Sequence, residues 1–195
     1  MRTWRDNESC PRCRGNVVAP SVLPAPGRLT EVACLDCMAR MCNDSEMLLP
    51  ALNSSGDLPP GVHRATMAEA VARFGTGTPQ RWQVSRRLER IHALACGTGK
   101  VARFVVFGSY VTGKPLPRDL DVFMVMDDDF DVTAVRGEAA LVFDHMAADT
   151  YEGASVFWVR RMAALGGEEA AIADWQIKRD GTKRGIVEVI ADDTQ

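Results

Sequence analysis

The chain has 195 residues, of which 46% are hydrophobic and 25% are charged, and its formal net charge is −3. This composition predicts a globular protein with one domain and a small appendage, and the acidic balance argues against a broadly basic nucleic-acid-binding surface. No apolar run approaches the ~20 residues that a membrane-spanning helix needs, and the first residues lack a signal-peptide core. We therefore expect a cytoplasmic protein without membrane contact.

Four of the six cysteines form two Cys-x-x-Cys pairs, Cys10 with Cys13 and Cys34 with Cys37. Each pair presents two thiolates on one tight turn, and two such turns complete a tetrahedral zinc site. In a reducing compartment cysteines favour metal ligation over disulfides. The pattern resembles a zinc ribbon and predicts a structural Zn²⁺ within residues 1–52, with buried or redox-active thiols as the alternative.

The charges of this N-terminal region bear on its role. Residues 1–50 carry six arginines and six acidic residues, so they offer no excess positive charge to a nucleic-acid backbone. A structural or protein-docking ribbon is therefore favoured over a nucleic-acid reader.

Residues 53–61 have the Ser, Gly and Pro content of a linker, and residues 62–195 form the predicted main domain. Thr66 and Glu69 have the spacing of a capping box, which predicts a short helix that Gly75 ends. Thr78-Pro79 predicts the start of a second helix. That helix has an apolar face (Val84, Leu88, Ile91, Ala95), and its arginines are expected mostly on solvated faces (Arg81, Arg86, Arg87, Arg90).

The remaining elements alternate between strands and helices. An apolar strand at 104–107 and a second at 122–126 precede a predicted helix at 133–148, which has an apolar stripe. A further strand is expected at 154–159, a helix at 168–178 and a last strand at 185–190. The sequence thus predicts an α/β (α+β) domain with a mixed sheet of about four strands flanked by helices.

The residues with the clearest chemical pattern lie between the first two of these strands. Gly108-Ser109 ends the first strand, and a glycine there lets the backbone turn sharply so that its amides can meet phosphate. Asp119 and Asp121 precede the second, and alternation along a strand places them on one face. Two close carboxylates favour a cation between them, and Mg²⁺ prefers carboxylates together with substrate phosphates. This arrangement suits a nucleoside triphosphate with two metal ions.

Gly108-Ser109 followed by Asp119-x-Asp121 resembles the signature of the polymerase-beta-like nucleotidyltransferase superfamily. A closer resemblance is to a group of uncharacterised bacterial proteins with this fold. That resemblance covers about Leu58 to Val189. It rests on three segments: Leu58-Pro-Pro-Gly-Val-His63, Gly108-Ser-Tyr-Val-Thr-Gly-Lys114 and Lys178-Arg-Asp-Gly-Thr-Lys-Arg-Gly-Ile-Val-Glu188.

The resemblance implies that Asp119 and Asp121 hold two Mg²⁺ ions and that Gly108 and Ser109 hold the triphosphate. Cations that would neutralise the developing charge are Lys114 and the pair Lys183 and Arg184, the latter in a run of four cations from 178 to 184.

A third carboxylate belongs to the catalytic form of the superfamily. Our candidate for this third carboxylate is Glu188, because an acid among apolar strand residues is costly to bury without a cation or a donor. An exposed glutamate on an edge strand is the alternative. With this third acid, we expect transfer of a nucleoside monophosphate to a hydroxyl of a protein, RNA or small molecule. Without it, we expect an inactive binding module, such as an antitoxin-like partner protein, or a zinc-ribbon docking protein with a degenerate enzyme core.

Overall fold

The computed structural model describes residues 49–191, which contain five β-strands. The strands are β1 (Val62–Thr66), β2 (Val101–Phe107), β3 (Leu120–Met126), β4 (Ala154–Arg160) and β5 (Ile186–Ile190). They form one sheet in the order β1-β5-β2-β3-β4. The pairs β1–β5 and β3–β4 are parallel, whereas β2 is antiparallel to both β3 and β5. The mixed α/β class is confirmed, with one strand more than expected.

The additional strand is β1, which the sequence did not indicate. Of its five residues only Ala65 is buried, so neither an apolar run nor a clean alternation marks it. Its position comes from pairing with β5, from Val62↔Ile186 to Thr66↔Ile190. A partner more than a hundred residues away, and not local propensity, makes this segment a strand.

The described helices are α1 (Met67–Phe74), α2 (Pro79–Cys96), α3 (Glu138–Val142), α4 (His145–Ala147) and α5 (Glu168–Ala173). Both predicted helix starts are confirmed. Glu69 N donates to Thr66 Oγ1 at 3.2 Å while Thr66 N donates to Glu69 Oε2 at 2.7 Å, which completes the capping box. Thr78 caps α2, with Pro79 at its first position.

The single helix predicted for 133–148 is wrong, because the segment is broken into short pieces. A 3₁₀ turn at Val132–Ala134 precedes α3, and a π-helical turn at Ala148–Glu152 follows α4. Gly137 has a φ of +66°, which no continuous helix allows. Asp144 then accepts hydrogen bonds from the amides of Met146 and Ala147, so it starts a new helix instead of continuing the old one.

The sheet is covered on both faces. On one face α2 buries its predicted apolar residues against β2 and β3 (Val84, Leu88, Ile91, Ala95, with Phe104, Val106, Val122 and Met124). On the other face a smaller cluster packs under α5 (Val105, Phe123, Val125, Ile172, Ile186, with Trp175). Of the two aspartates of interest, Asp121 is the second residue of β3 and Asp119 directly precedes this strand.

The segment 53–61, predicted as a linker, packs against the sheet domain. Leu58 is fully buried, Gly113 N donates to Gly56 O at 2.7 Å, and Asp57 pairs with Thr112. Among residues 49–191, no helix combines the length and the apolar composition needed to cross a membrane.

Candidate functional site

The end of β2 and the start of β3 bring the two predicted motifs together. Phe107, the last residue of β2, is the register partner of Asp121. Gly108-Ser109 therefore follows directly beside the aspartates, although the loop to Asp119 separates them in sequence. An antiparallel pair joined by a loop places these ends next to each other by geometry alone.

A glycine is required at position 108 because the side chain of Asp121 lies against it. Gly108 has a φ of +78°, and a Cβ built on it would lie 1.7 Å from Asp121 Oδ2 and 2.5 Å from Asp121 Cγ. Only a residue without a side chain lets the backbone turn at this point while the carboxylate occupies that space. The turn and the second aspartate are therefore fitted to each other.

A cavity of about 610 Å³ opens at this point, a size within the usual range for small-molecule sites. Its lining combines acidic residues, basic residues from the segment before β5, and apolar side chains. The lining residues are Phe107, Gly108, Ser109, Asp119, Asp121, Asp174, Trp175, Ile177, Lys178, Arg179 and Arg184.

The electrostatics of the cavity centre on Asp121. Burial, followed by repulsion from Asp119, raises the pKa of Asp121 from 3.8 to about 6, against the opposing effect of Arg184, a backbone hydrogen bond from Ser109, and Arg179. A carboxylate that is desolvated and placed next to a second acid is stabilised in its charged form by a cation. The pair thus has the electrostatics of a cation site.

Two residues that line the same cavity each have a buried polar atom without a partner. Within residues 49–191, Ser109 Oγ and Arg184 Nε make no hydrogen bond although both are shielded from solvent. Buried polar groups are nearly always satisfied, so two unpartnered donors next to a cavity are consistent with a ligand that supplies acceptors. A hydroxyl and a guanidinium together fit an anion such as phosphate.

The carboxylates at this site fit Mg²⁺ only if a bound ligand supplies further oxygen atoms. In the described part of the chain, no group of three or more His, Cys, Asp or Glu is arranged to hold a metal ion. Asp119 and Asp121 supply two carboxylates, and Mg²⁺ commonly completes its octahedron with waters and substrate phosphate oxygens. The residues present therefore fit a metal that arrives with a triphosphate.

The basic segment 178–184 contributes differently from the prediction. Lys183 and Lys114 are exposed and do not line the cavity, whereas Arg184 does. Lys178 and Arg179 also line it, although neither was singled out. Their signal was present in the sequence as the cationic run, but which members point inward depends on the turn closed by the Ile177–Lys183 bridge.

Lys178 is held by an acid from the segment before β1. Its Nζ lies 3.2 Å from Asp57 Oδ2, and Asp57 is itself paired with Thr112 in the loop that follows Ser109. This ion pair joins the cationic turn to the loop between β2 and β3.

Glu188 does not line the cavity together with the two aspartates. It is buried, on β5, opposite Val105 and not opposite Phe107, so it lies two residues further along the sheet than the level of Asp121. Arg103 Nη2 donates to Glu188 Oε2 at 2.9 Å and Arg103 Nε also donates to this carboxylate. Arg64 Nε donates to it as well, at 3.3 Å.

Arg103 is in turn surrounded by acids. Besides Glu188, it lies near Glu169 at 2.9 Å and Glu168 at 3.6 Å, and its hydrogen bond to Glu188 is the main cause that holds the pKa of Arg103 above its usual range. The negative charge of the buried Glu188 carboxylate is thus balanced by arginine.

Arg81, expected on a solvated face, is buried and holds the loop that follows Ser109. Its guanidinium donates to the carbonyl of Phe74 at 3.1 Å, to that of Tyr110 at 3.0 Å, and to that of Thr112. Tyr110 is fully buried, and its hydroxyl lies 2.6 Å from Ser85 Oγ on α2. These bonds fix the backbone after Ser109 to helix α2.

The predicted zinc ligands Cys10, Cys13, Cys34 and Cys37 lie outside the described residues.

A family model described as "Family of unknown function (DUF6932)" matches residues 50–190, which include the whole of the sheet and the cavity. No curated protein and no solved structure matches the chain.

Proposed function

The chain belongs to DUF6932, a family of unknown function, and for this member we propose magnesium-dependent transfer of a nucleoside monophosphate from a nucleoside triphosphate to an acceptor hydroxyl. The acceptor would belong to a protein, an RNA or a small molecule. The finer fold assignment, a nucleotidyltransferase-type sheet preceded by a zinc ribbon with four cysteine ligands, is part of the same proposal.

One observation carries this proposal: two neighbouring carboxylates and three cations line one cavity. The carboxylates are those of Asp119 and Asp121, and the cations are Lys178, Arg179 and Arg184. A metal-bound polyphosphate has matching charges, with the cation at one end and the phosphate oxygens at the other. The resemblance of Gly108-Ser109 and Asp119-x-Asp121 to the superfamily signature supports the same reading.

Each group has a definite task in this proposal. Asp119 and Asp121 hold the magnesium, which when bound would neutralise the charge of the reacting phosphate. The amides of the Gly108-Ser109 turn and the unpartnered Ser109 hydroxyl donate to phosphate oxygens. Arg184 donates to the phosphates through its unpartnered Nε.

A transfer assay tests the proposal. The full-length protein is incubated with α-labelled ATP, CTP, GTP or UTP, with Mg²⁺ and with cell extract as the source of acceptors. We expect label on an acceptor with the wild type, and none with the double variant Asp119→Asn/Asp121→Asn. Asp149→Asn, an exposed aspartate that does not line the cavity, is the matched control and should retain transfer. Transfer that is unchanged in the double variant would refute the proposal.

A second candidate is a module that binds the nucleotide without transferring it, such as an antitoxin-like partner protein. It is favoured by the surroundings of Asp121, whose register partners on the two neighbouring strands are Phe107 and Ser155 and not a third acid. Glu188, the third acid expected from the sequence, has its carboxylate paired with arginines. This candidate predicts Mg²⁺-dependent binding of a non-hydrolysable ATP analogue in a protein that transfers no label.

A further inference from the structure

The cavity has an apolar part beside its charged part. Phe107, Trp175 and Ile177 contribute this part of the wall. Ile177 is 51% exposed, so part of its side chain is open to a ligand in the cavity. Neither a triphosphate nor a metal ion gains from contact with such an apolar surface.

Trp175 has one face on the sheet. Its ring centroid lies 4.5 Å from that of Phe107, 4.9 Å from that of Phe123 and 4.9 Å from that of Phe157, with interplanar angles of 40°, 32° and 37°. Phe123 and Phe157 are register partners on β3 and β4, so these phenyl rings form a platform on one side of the sheet. The indole lies tilted over this platform, and it is partly exposed where it lines the cavity.

Two of the three apolar residues and all the cations of the wall come from one short segment. Trp175 and Ile177 are followed at once by Lys178 and Arg179, and the turn returns to Arg184. A ligand in this cavity therefore meets aromatic and aliphatic surface as well as cations. A planar ring joined to a polyanion has this distribution of properties.

We propose that Trp175 and Ile177 form the seat of the nucleobase and make the site prefer purine nucleotides. The inference rests on the proposed function, because it takes the charged part of the cavity as the triphosphate site. Stacking on an aromatic face recognises the area of a ring and not the pattern of its hydrogen-bonding edges. A purine, with two fused rings, covers more of the surface than a pyrimidine does.

Calorimetric titration of the full-length protein tests this seat. The probes are non-hydrolysable α,β-methylene analogues of ATP and CTP and inorganic tripolyphosphate, each with Mg²⁺. Wild type is compared with Trp175→Leu and with Ile177→Ser, the second because an exposed residue can be changed with less risk to folding. Leu165→Ser is the matched control, since Leu165 is 90% exposed and does not line the cavity.

We expect wild type to bind the ATP analogue at least about tenfold more tightly than tripolyphosphate, with the CTP analogue between them, because stacking on one base contributes on that order. Both seat variants should lose most of this advantage and keep their affinity for tripolyphosphate, whereas Leu165→Ser should behave as wild type.

Two other results would overturn the inference in distinguishable ways. Equal affinity for the ATP analogue and tripolyphosphate, unaffected by Ile177→Ser, would remove the nucleobase seat but leave the phosphate and metal site standing. Failure of wild type to bind any of the three probes would overturn the proposed function, and the seat with it.

Discussion

Replacing Gly108 by alanine should damage the site more than it damages the fold. At a φ of +78° an alanine costs about 1–2 kcal/mol in backbone strain. In addition its Cβ would lie 1.7 Å from Asp121 Oδ2 and 2.8 Å from Asp121 Cβ, so the carboxylate must move. Moving this carboxylate disturbs its neighbours in the cavity and adds to the cost of the backbone strain.

The chain contains a control with nearly the same strain and none of the collision. Gly99 has a φ of +67°, and a Cβ built on it meets no atom within 4 Å. Gly99→Ala should therefore destabilise the protein by about 1–2 kcal/mol and leave the binding of an ATP analogue with Mg²⁺ unchanged. Gly108→Ala should destabilise it by more than Gly99→Ala does and weaken that binding at least about tenfold, because the metal-binding carboxylate is displaced.

Urea unfolding followed by circular dichroism gives the stability difference, and calorimetric titration gives the affinity. If Gly108→Ala and Gly99→Ala proved equal in both measurements, the close fit of the turn to Asp121 would have no energetic consequence, and the reasoning would be refuted.

Three further predictions concern acids and thiols. Because the pKa of Asp121 is about 6 in the folded protein against 3.8 ordinarily, the folded state holds its proton more tightly and metal-free wild type loses stability as pH rises from 4 to 6. Asp121→Asn removes this loss, and urea unfolding in EDTA at pH 7.5 should show the variant more stable than wild type by about 3 kcal/mol; equal stability would contradict this. Glu188→Gln should cost about 3 kcal/mol on urea unfolding, because Arg103 loses its buried partner, and leave nucleotide affinity intact; loss of transfer at unchanged stability would instead support a metal-binding role. Elemental analysis should find about one zinc per chain, lost in Cys10→Ser/Cys13→Ser, and a zinc-free folded wild type would contradict the ribbon.

The sequence was most informative where the determining contacts are local. Thr66 and Glu69 define a helix start within four residues, and this prediction is confirmed in detail. Asp121 lies at the start of β3, with Asp119 directly before that strand, and the neighbouring strand β2 ends immediately before Gly108, as the pattern predicts. Motifs of this kind need only the chain on either side of them.

The features that sequence reasoning missed depend on distant partners. Arg81 resembles the other arginines of its helix, and its burial follows from carbonyls of Tyr110 and Thr112, about thirty residues later. The sequence predicts that a buried Glu188 requires a cation. The cations are Arg103 and Arg64, which come from neighbouring strands. No local sequence pattern shows whether a buried glutamate is paired with arginines from other strands or with a metal ion.

The strand order has a consequence for how the domain is made. β5 is the last strand of the described chain, yet it lies between β1 and β2, so β1 has its described strand partner only after residues 186–190 are synthesised. The antiparallel pair β2–β3 forms from near neighbours in sequence and can assemble early, whereas β5 must join a sheet already begun. Arg184 and the cationic turn arrive with it. A nascent chain therefore has its acidic residues in place before their cations, and the complete cavity exists only once the domain has left the ribosome.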